Sequence, residues 1–104
     1  SIMMDQFIVV IEPGARSIKT YEKVKSLAKD LGITRVRVVA NKVRDEKDEE
    51  FLKSRIPEDA LLGFIHYNPE VIDADRRGMS PYDISPSAVE EIRAIKARMD
   101  NEKE

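Results

Sequence analysis

Three short apolar runs alternate along the chain with segments whose apolar residues recur at helical spacing. The runs are FIVVI (7–11), VRVVA (36–40) and LLGFI (61–65), and each is typical of a strand in a buried parallel sheet. The first helical segment has Ser17 as its predicted cap and Gly32 at its predicted end. Its apolar positions are Ile18, Tyr21, Val24, Leu27, Ala28 and Leu31.

Two further helices follow from the same pattern. The charged segment DEKDEEFLKSR (45–55) contains enough apolar residues to anchor a short helix that stops before Pro57. A last helix is predicted to begin at Ser85-Pro86, because proline suits a first turn, and to run to about Asn101. Residues 66–84 are expected to be irregular, with one helical turn near 72–76.

The order βαβαβ-α predicts an α/β fold, the three-stranded parallel part of a larger sheet. Right-handed crossovers would place both connecting helices on one face, with the last helix on the other. The outer edge of FIVVI would then be bare, although natural proteins cover such edges. We therefore expect residues 1–104 to form a single partial domain.

Composition narrows the partners and the chemistry. The 18 Lys and Arg nearly balance the 20 Asp and Glu, so neither nucleic acid nor a membrane surface is an expected partner. Cysteine is absent and His66 is the only histidine, which argues against thiolate or histidine-rich metal sites. No apolar run could span a membrane, and the plain expectation is a cytoplasmic protein.

Asn41-Lys42 directly follow the second strand, and open α/β sheets bind ligands at the carboxyl ends of their strands. A side-chain amide can both donate to and accept from a purine edge. A guanine site would need a carboxylate three residues after the asparagine, where Arg44 stands, so adenine is the better hypothesis. The alternative is that Asn41 only ends a strand and begins a turn.

A second candidate segment is IHYNPEV (65–71), whose backbone could face a base while Tyr67 and Pro69 pack against the ring. The alternative is an ordinary surface loop with His66 as a hydrogen-bonded polar residue. No G-x-x-x-x-G-K-[ST] motif occurs in the chain, so this chain has no phosphate-binding loop. The acidic residues Asp5, Glu12, Asp73 and Asp75 are expected in salt bridges with Arg76 or Arg77, or in backbone caps, rather than around Mg²⁺. No catalytic residue is predicted.

Together these segments resemble the MinD/ParA/nitrogenase-iron-protein-type P-loop ATPases over nearly the whole chain. MDQFIVVIEPGARS (4–17) looks like the strand and turn after their switch region, and VRVVANKV (36–43) is similar to their base-binding strand. LLGFIHYNPEVIDADRRGMSPYD (61–83) resembles their segment around the adenine loop. Through EPGARS and ADRRG, the chain is most similar to the CooC-type accessory ATPase that matures nickel carbon monoxide dehydrogenase.

The resemblance implies a dimeric, Mg-dependent ATP- or ADP-binding protein whose Walker A motif and switch lie upstream, with a carbon monoxide dehydrogenase client. Asn41 would match the adenine-contacting asparagine and Lys42 its neighbour. His66, Tyr67, Asn68 and Pro69 would form the loop beside the base, with His66 and Asn68 departing from the family's proline and aspartate. Ser1-Ile2 precede Met3, which is expected either if a few residues were added to the chain or if the chain is a fragment of a longer protein. The resemblance favours a fragment.

This chain alone is accordingly expected to be the adenine-reading half of such a protein, inactive without its N-terminal half and prone to self-association. An alternative is a stand-alone protein-interaction module that dimerises through its open sheet edge. A flavodoxin-like or receiver-like regulatory domain is a third possibility, weakened because only Glu12 supplies an acidic residue at a strand's carboxyl end.

Overall fold

The computed structural model describes residues 6–78 and 86–101. A three-stranded parallel sheet has the order β1-β2-β3. Its strands are β1 (Gln6–Ile11), β2 (Arg35–Val43) and β3 (Leu61–His66). The helices are α1 (Ala15–Asp30), α2 (Glu46–Arg55), α3 (Pro69–Arg76) and α4 (Pro86–Asn101). The predicted α/β class and element order are confirmed, and α3 is longer than the single turn expected from the sequence.

The two faces of the sheet are covered as the crossover rule predicts. On one face, α1 and α2 pack over the larger core through residues such as Ile18 and Leu52. On the other face, α4 packs through Ile95 onto Val39 and Leu62. The connecting helices therefore share one layer and α4 forms the second, which sandwiches β3 between α2 and α4.

The start of α1 differs from the prediction. The helix begins at Ala15 with Gly14 as its N-cap, and Ser17 lies inside the first turn. The Ser17 hydroxyl instead accepts a hydrogen bond from the Glu12 backbone N–H at 3.2 Å. Ser17 is therefore not the helix cap, because its side chain satisfies the loop that joins β1 to α1.

The end of α1 agrees with the prediction. Gly32 has φ +79°, a left-handed conformation that glycine adopts without a Cβ penalty. The Gly32 N–H donates to the Lys29 carbonyl at 3.1 Å and the Ile33 N–H to the Ala28 carbonyl at 2.8 Å. This paired arrangement is the Schellman motif, and it turns the chain toward β2.

Strand β2 extends past the predicted end at Ala40 as far as Val43. Ala40 pairs with Phe64 and Val43 pairs with His66, so two residues of β2 lie opposite one residue of β3. Both Ala40 and Val43 are fully buried. The strand continues because Val43 joins the core, and the extra residue is accommodated by a β-bulge at Asn41-Lys42.

Strand β1 is an edge strand among the described residues, since it pairs with β2 alone. On the face away from the larger core, Ile8 is 42% exposed and Val10 is 63% exposed. An apolar surface therefore continues around this edge. No helix of the described residues is both long and apolar enough to cross a membrane.

Candidate nucleotide-binding edge

The carboxyl ends of the three strands meet at one edge of the sheet because the strands are parallel. This edge brings together Glu12 after β1, Asn41-Lys42 in β2 and His66-Tyr67 at the end of β3. The two candidate segments are joined directly by the Tyr67 N–H, which donates to the Val43 carbonyl at 2.7 Å. The residues singled out in the sequence thus lie side by side in space.

Lys42 has φ +57° and is the one described residue other than glycine in the left-handed region. This conformation costs a side-chain-bearing residue about 1–2 kcal/mol. The buried residues Ala40 and Val43 hold the bulge on both sides, so the surrounding sheet imposes the conformation. Imposed backbone strain of this kind is common at ligand sites.

The exposed side chain of Lys42 makes only a loose contact with the first strand. Its Nζ lies 3.9 Å from the Glu12 carboxylate, with 54% and 60% of the two side chains exposed. Such a pair contributes little in solvent. Lys42 can therefore leave Glu12 for an anionic ligand at small cost.

The residues after Asn41 leave no ready acceptor for a guanine. The Arg44 guanidinium pairs with Asp48 at 3.0 Å, and this hydrogen bond lowers the pKa of the Asp48 carboxyl. The Asp45 side chain accepts from the Asp48 backbone N–H at 3.0 Å and caps α2. A guanine site would need a carboxylate at position 44, and the nearest one, Asp45 at the next position, is thus engaged as the N-cap of α2.

His66 occupies the end of β3 and is held by two helices. Its Nδ1 contacts the Glu91 carboxylate of α4, and its Nε2 lies 3.1 Å from the Glu49 carboxylate of α2. Glu91 also accepts from the His66 backbone N–H at 3.0 Å. These carboxylates, Glu91 before Glu49, raise the pKa of the His66 imidazole above its ordinary value.

Sequence reasoning did not single out Glu49 or Glu91. Glu49 belongs to a charged run that is typical of a solvated helix face, and Glu91 lies 25 residues beyond His66. No local motif links either residue to His66, so only the packing of α2 and α4 on opposite faces identifies them.

Of the other loop residues, Asn68 and Pro69 form the start of α3, whereas the Tyr67 side chain is exposed. The Asn68 side-chain oxygen Oδ1 accepts from the Glu70 backbone N–H at 2.9 Å, and its side-chain nitrogen Nδ2 donates to the Ser87 hydroxyl at 3.4 Å. Asn68 therefore caps α3 and joins it to α4, while Pro69 is the first residue of α3. Tyr67 is 49% exposed and can lie against a flat ring at this edge.

The acidic residues do not form a metal centre among the described residues, where no group of three or more His, Cys, Asp or Glu side chains is arranged to hold an ion. Glu49 and Glu91 lie on opposite nitrogens of one ring rather than around a common point. Asp73 forms the expected salt bridge, with Arg77 at 3.2 Å. Asp5 and the side chain of Asp75 are outside the described residues.

This fold is that of the MinD class of proteins. The chain superposes on a chain of the MinC:MinD cell division protein complex of Aquifex aeolicus with a TM-score of 0.74 and 19% identity, covering 96% of this chain and 44% of that one. MinD of the same organism alone gives a TM-score of 0.69 with 18% identity, over 96% and 45% of the two chains. No protein-family model matches the chain.

Sequence relatives make the relationship more specific. The chain is 36% identical over 96 residues to the carbon monoxide dehydrogenase accessory protein CooC of Rhodospirillum rubrum, over 92% of this chain and 36% of that protein. It is 41% identical over 95 residues to an uncharacterized ATP-binding protein of Methanocaldococcus jannaschii, over 88% of this chain and 36% of that protein. The predicted resemblance is confirmed: the chain is similar in sequence to CooC and in fold to MinD. It spans about a third of the length of these curated relatives.

Proposed function

We propose that this chain is the adenine-reading half of a CooC/MinD-like ATP-binding protein that takes part in metallocentre maturation, with a nickel carbon monoxide dehydrogenase as client. The observation that carries the proposal is the carboxyl edge of the sheet. There the strained bulge at Asn41-Lys42 lies beside the loop that begins at His66. The relatives described as a CooC accessory protein and an ATP-binding protein support it.

At this edge the roles divide by chemistry. The Asn41 amide would donate to and accept from the adenine edge, and Tyr67 would pack against its ring. Lys42, loosely paired with Glu12, would be free to move toward ligand phosphate. Backbone groups of residues 66–69 would face the base, with His66 and Asn68 acting through the helices that they bind rather than by direct contact.

The phosphates and Mg²⁺ would be held by a segment that this chain lacks. Nucleotide affinity comes largely from the backbone N–H groups and lysine of a phosphate-binding loop, and no such motif occurs in these 104 residues. We therefore propose that the chain by itself binds adenine nucleotides only weakly, with a dissociation constant on the order of millimolar, and hydrolyses none.

Isothermal calorimetry with ATP, ADP and GTP tests the proposal on the isolated chain and on the same chain preceded by the upstream coding sequence of its source gene. The longer protein should bind ATP in preference to GTP, and Asn41→Ala should weaken ATP binding without favouring GTP. Lys96→Ala on the exposed side of α4 is the matched control and should leave binding unchanged. Micromolar ATP binding to the isolated chain, or equal binding of GTP, would contradict the proposal.

A second candidate is a stand-alone interaction module that dimerises through β1. It is favoured by one specific observation, the edge strand whose Ile8 and Val10 side chains are 42% and 63% exposed. Such an edge can pair with a strand of another molecule. The calorimetry above discriminates, because a module of this kind would show no adenine preference in any form of the protein.

A further inference from the structure

The His66 ring is the point at which three elements of the sandwich meet. His66 ends β3, Glu49 comes from α2 on one face of the sheet, and Glu91 comes from α4 on the other. A single imidazole thus connects both helical layers at the edge where the candidate base-binding loop begins. Neither carboxylate belongs to the residues that would touch a nucleotide.

The hydrogen-bond inventory of the ring determines how strong this connection is. A neutral imidazole has one N–H donor, whereas the protonated ring has two. Both nitrogens face carboxylate oxygens, so only the protonated form satisfies both contacts. These contacts are charge-assisted, which makes them the stronger class of hydrogen bond.

We propose that Glu91 and Glu49 are positioning residues which, through the two nitrogens of His66, hold the loop 66–69 in place between α4 and α2. For the identity of the ligand, this inference rests on the proposed adenine-reading function. Glu91 is the main anchor because it bonds both the ring and the backbone N–H of His66. Glu49 completes the connection on the other face of the sheet.

The surrounding charges give the connection a defined pH dependence. The carboxylates that contact the ring are Glu49 on α2 and Glu91 on α4. His66 and Glu91 also line a surface groove between the loop and α4, and the other titratable residues of that groove are Glu90 and Tyr67. From β2 the paired residue is the apolar Val43, and Asp48 is occupied by Arg44. The folded-state pKa of His66 is raised, so the connection is complete below the ordinary value of 6.5 and is lost as pH rises through the raised value.

The test uses the fact that His66 is the only histidine of the chain, so the imidazole Hε1 resonance in a proton NMR titration of the whole chain belongs to His66 alone. The wild-type signal should titrate above pH 6.5, and the amide protons of Tyr67 and Asn68 should lose exchange protection over the same pH range. Glu91→Gln should shift the titration downward most and Glu49→Gln should shift it less. Both variants should remove the pH dependence of the loop amides.

Glu90→Gln is the matched control, because Glu90 neighbours Glu91 on α4 and lines the same groove without being a partner of the ring. It should leave the titration and the loop amides near wild type. An ordinary His66 pKa, or equal shifts in Glu90→Gln and Glu91→Gln, would overturn the proposal. The proposal would also be overturned if the exchange protection of the Tyr67 and Asn68 amides did not change as His66 titrates.

A separate arm keeps this inference distinguishable from the proposed function. Millimolar AMP is titrated at one pH below and one pH above the measured His66 pKa, and the Tyr67 and Asn68 signals are followed. Stronger perturbation at the lower pH, lost in Glu91→Gln, is the expected result. If the titration and amide results hold but AMP perturbs nothing at either pH, the positioning role stands and the adenine-reading function fails.

Discussion

Gly63 of β3 lies directly against Ile95 of α4, and this contact determines how closely α4 approaches the sheet. A Cβ at position 63 would lie 2.8 Å from the Ile95 Cγ1 atom and 3.4 Å from its Cδ1 atom. Cγ1 is near the helix backbone and can withdraw only by a change of rotamer or a shift of the helix. Gly63→Ala should therefore destabilise the fold by about 1–3 kcal/mol, the usual cost of overpacking.

The same geometry predicts that a second substitution offsets the first. Ile95→Ala alone should cost about 2–3 kcal/mol, the lower part of the range for such truncations, because Ile95 keeps 8% exposure in a small cluster. In the double variant, the new Cβ occupies part of the space that Cγ1 vacates. The double variant should then cost about 2–3 kcal/mol, roughly 1–3 kcal/mol less than the sum of the single costs.

Urea unfolding followed by far-ultraviolet circular dichroism measures these free energies, at one protein concentration because self-association would make stability depend on it. Leu52→Ala is the control partner, since Leu52 is fully buried on the opposite face of the sheet. Its cost, about 2–5 kcal/mol, should add to that of Gly63→Ala. Additivity within about 0.5 kcal/mol for Gly63→Ala with Ile95→Ala would refute the close-approach argument.

Three further predictions concern the N-cap of α2, the exposed edge strand β1 and the pH dependence of stability. Asp45→Ala should lower the free energy of unfolding by about 1 kcal/mol through loss of the cap on α2, and Asp45→Asn should restore most of it in the same urea assay. Size-exclusion chromatography with light scattering should show self-association of the isolated chain, which Val10→Lys should reduce; a wild-type monomer at every concentration would contradict the edge argument. Wild-type stability should fall as pH rises from the ordinary value of 6.5 through the raised pKa of His66. His66→Gln should show a flatter profile of unfolding free energy against pH, and identical profiles would contradict the two-carboxylate contact.

Much of the architecture was predictable because each strand and most of the helices have a recognisable local sequence pattern. The β-branched runs predicted the three parallel strands, and helical periodicity predicted the helical layers, with Gly32 and Pro57 marking the ends of the first two helices. The candidate edge was also predictable, since parallel strands necessarily bring their carboxyl ends together. Asn41 and the loop after β3 are neighbours for that reason alone.

Several features that no local pattern signals were decided only by the tertiary structure. The Ser17 hydroxyl caps the loop after β1 instead of the helix, because the Glu12 N–H comes within its reach. The bulge that holds Lys42 at φ +57° arises because Val43 must reach the core beside β3. Glu49 and Glu91 meet at His66 from opposite faces of the sheet. Local sequence determines which segments become strands and helices. The contacts of His66 with Glu49 and Glu91 depend instead on how the helices pack across the sheet, and this packing is set by apolar residues throughout the core.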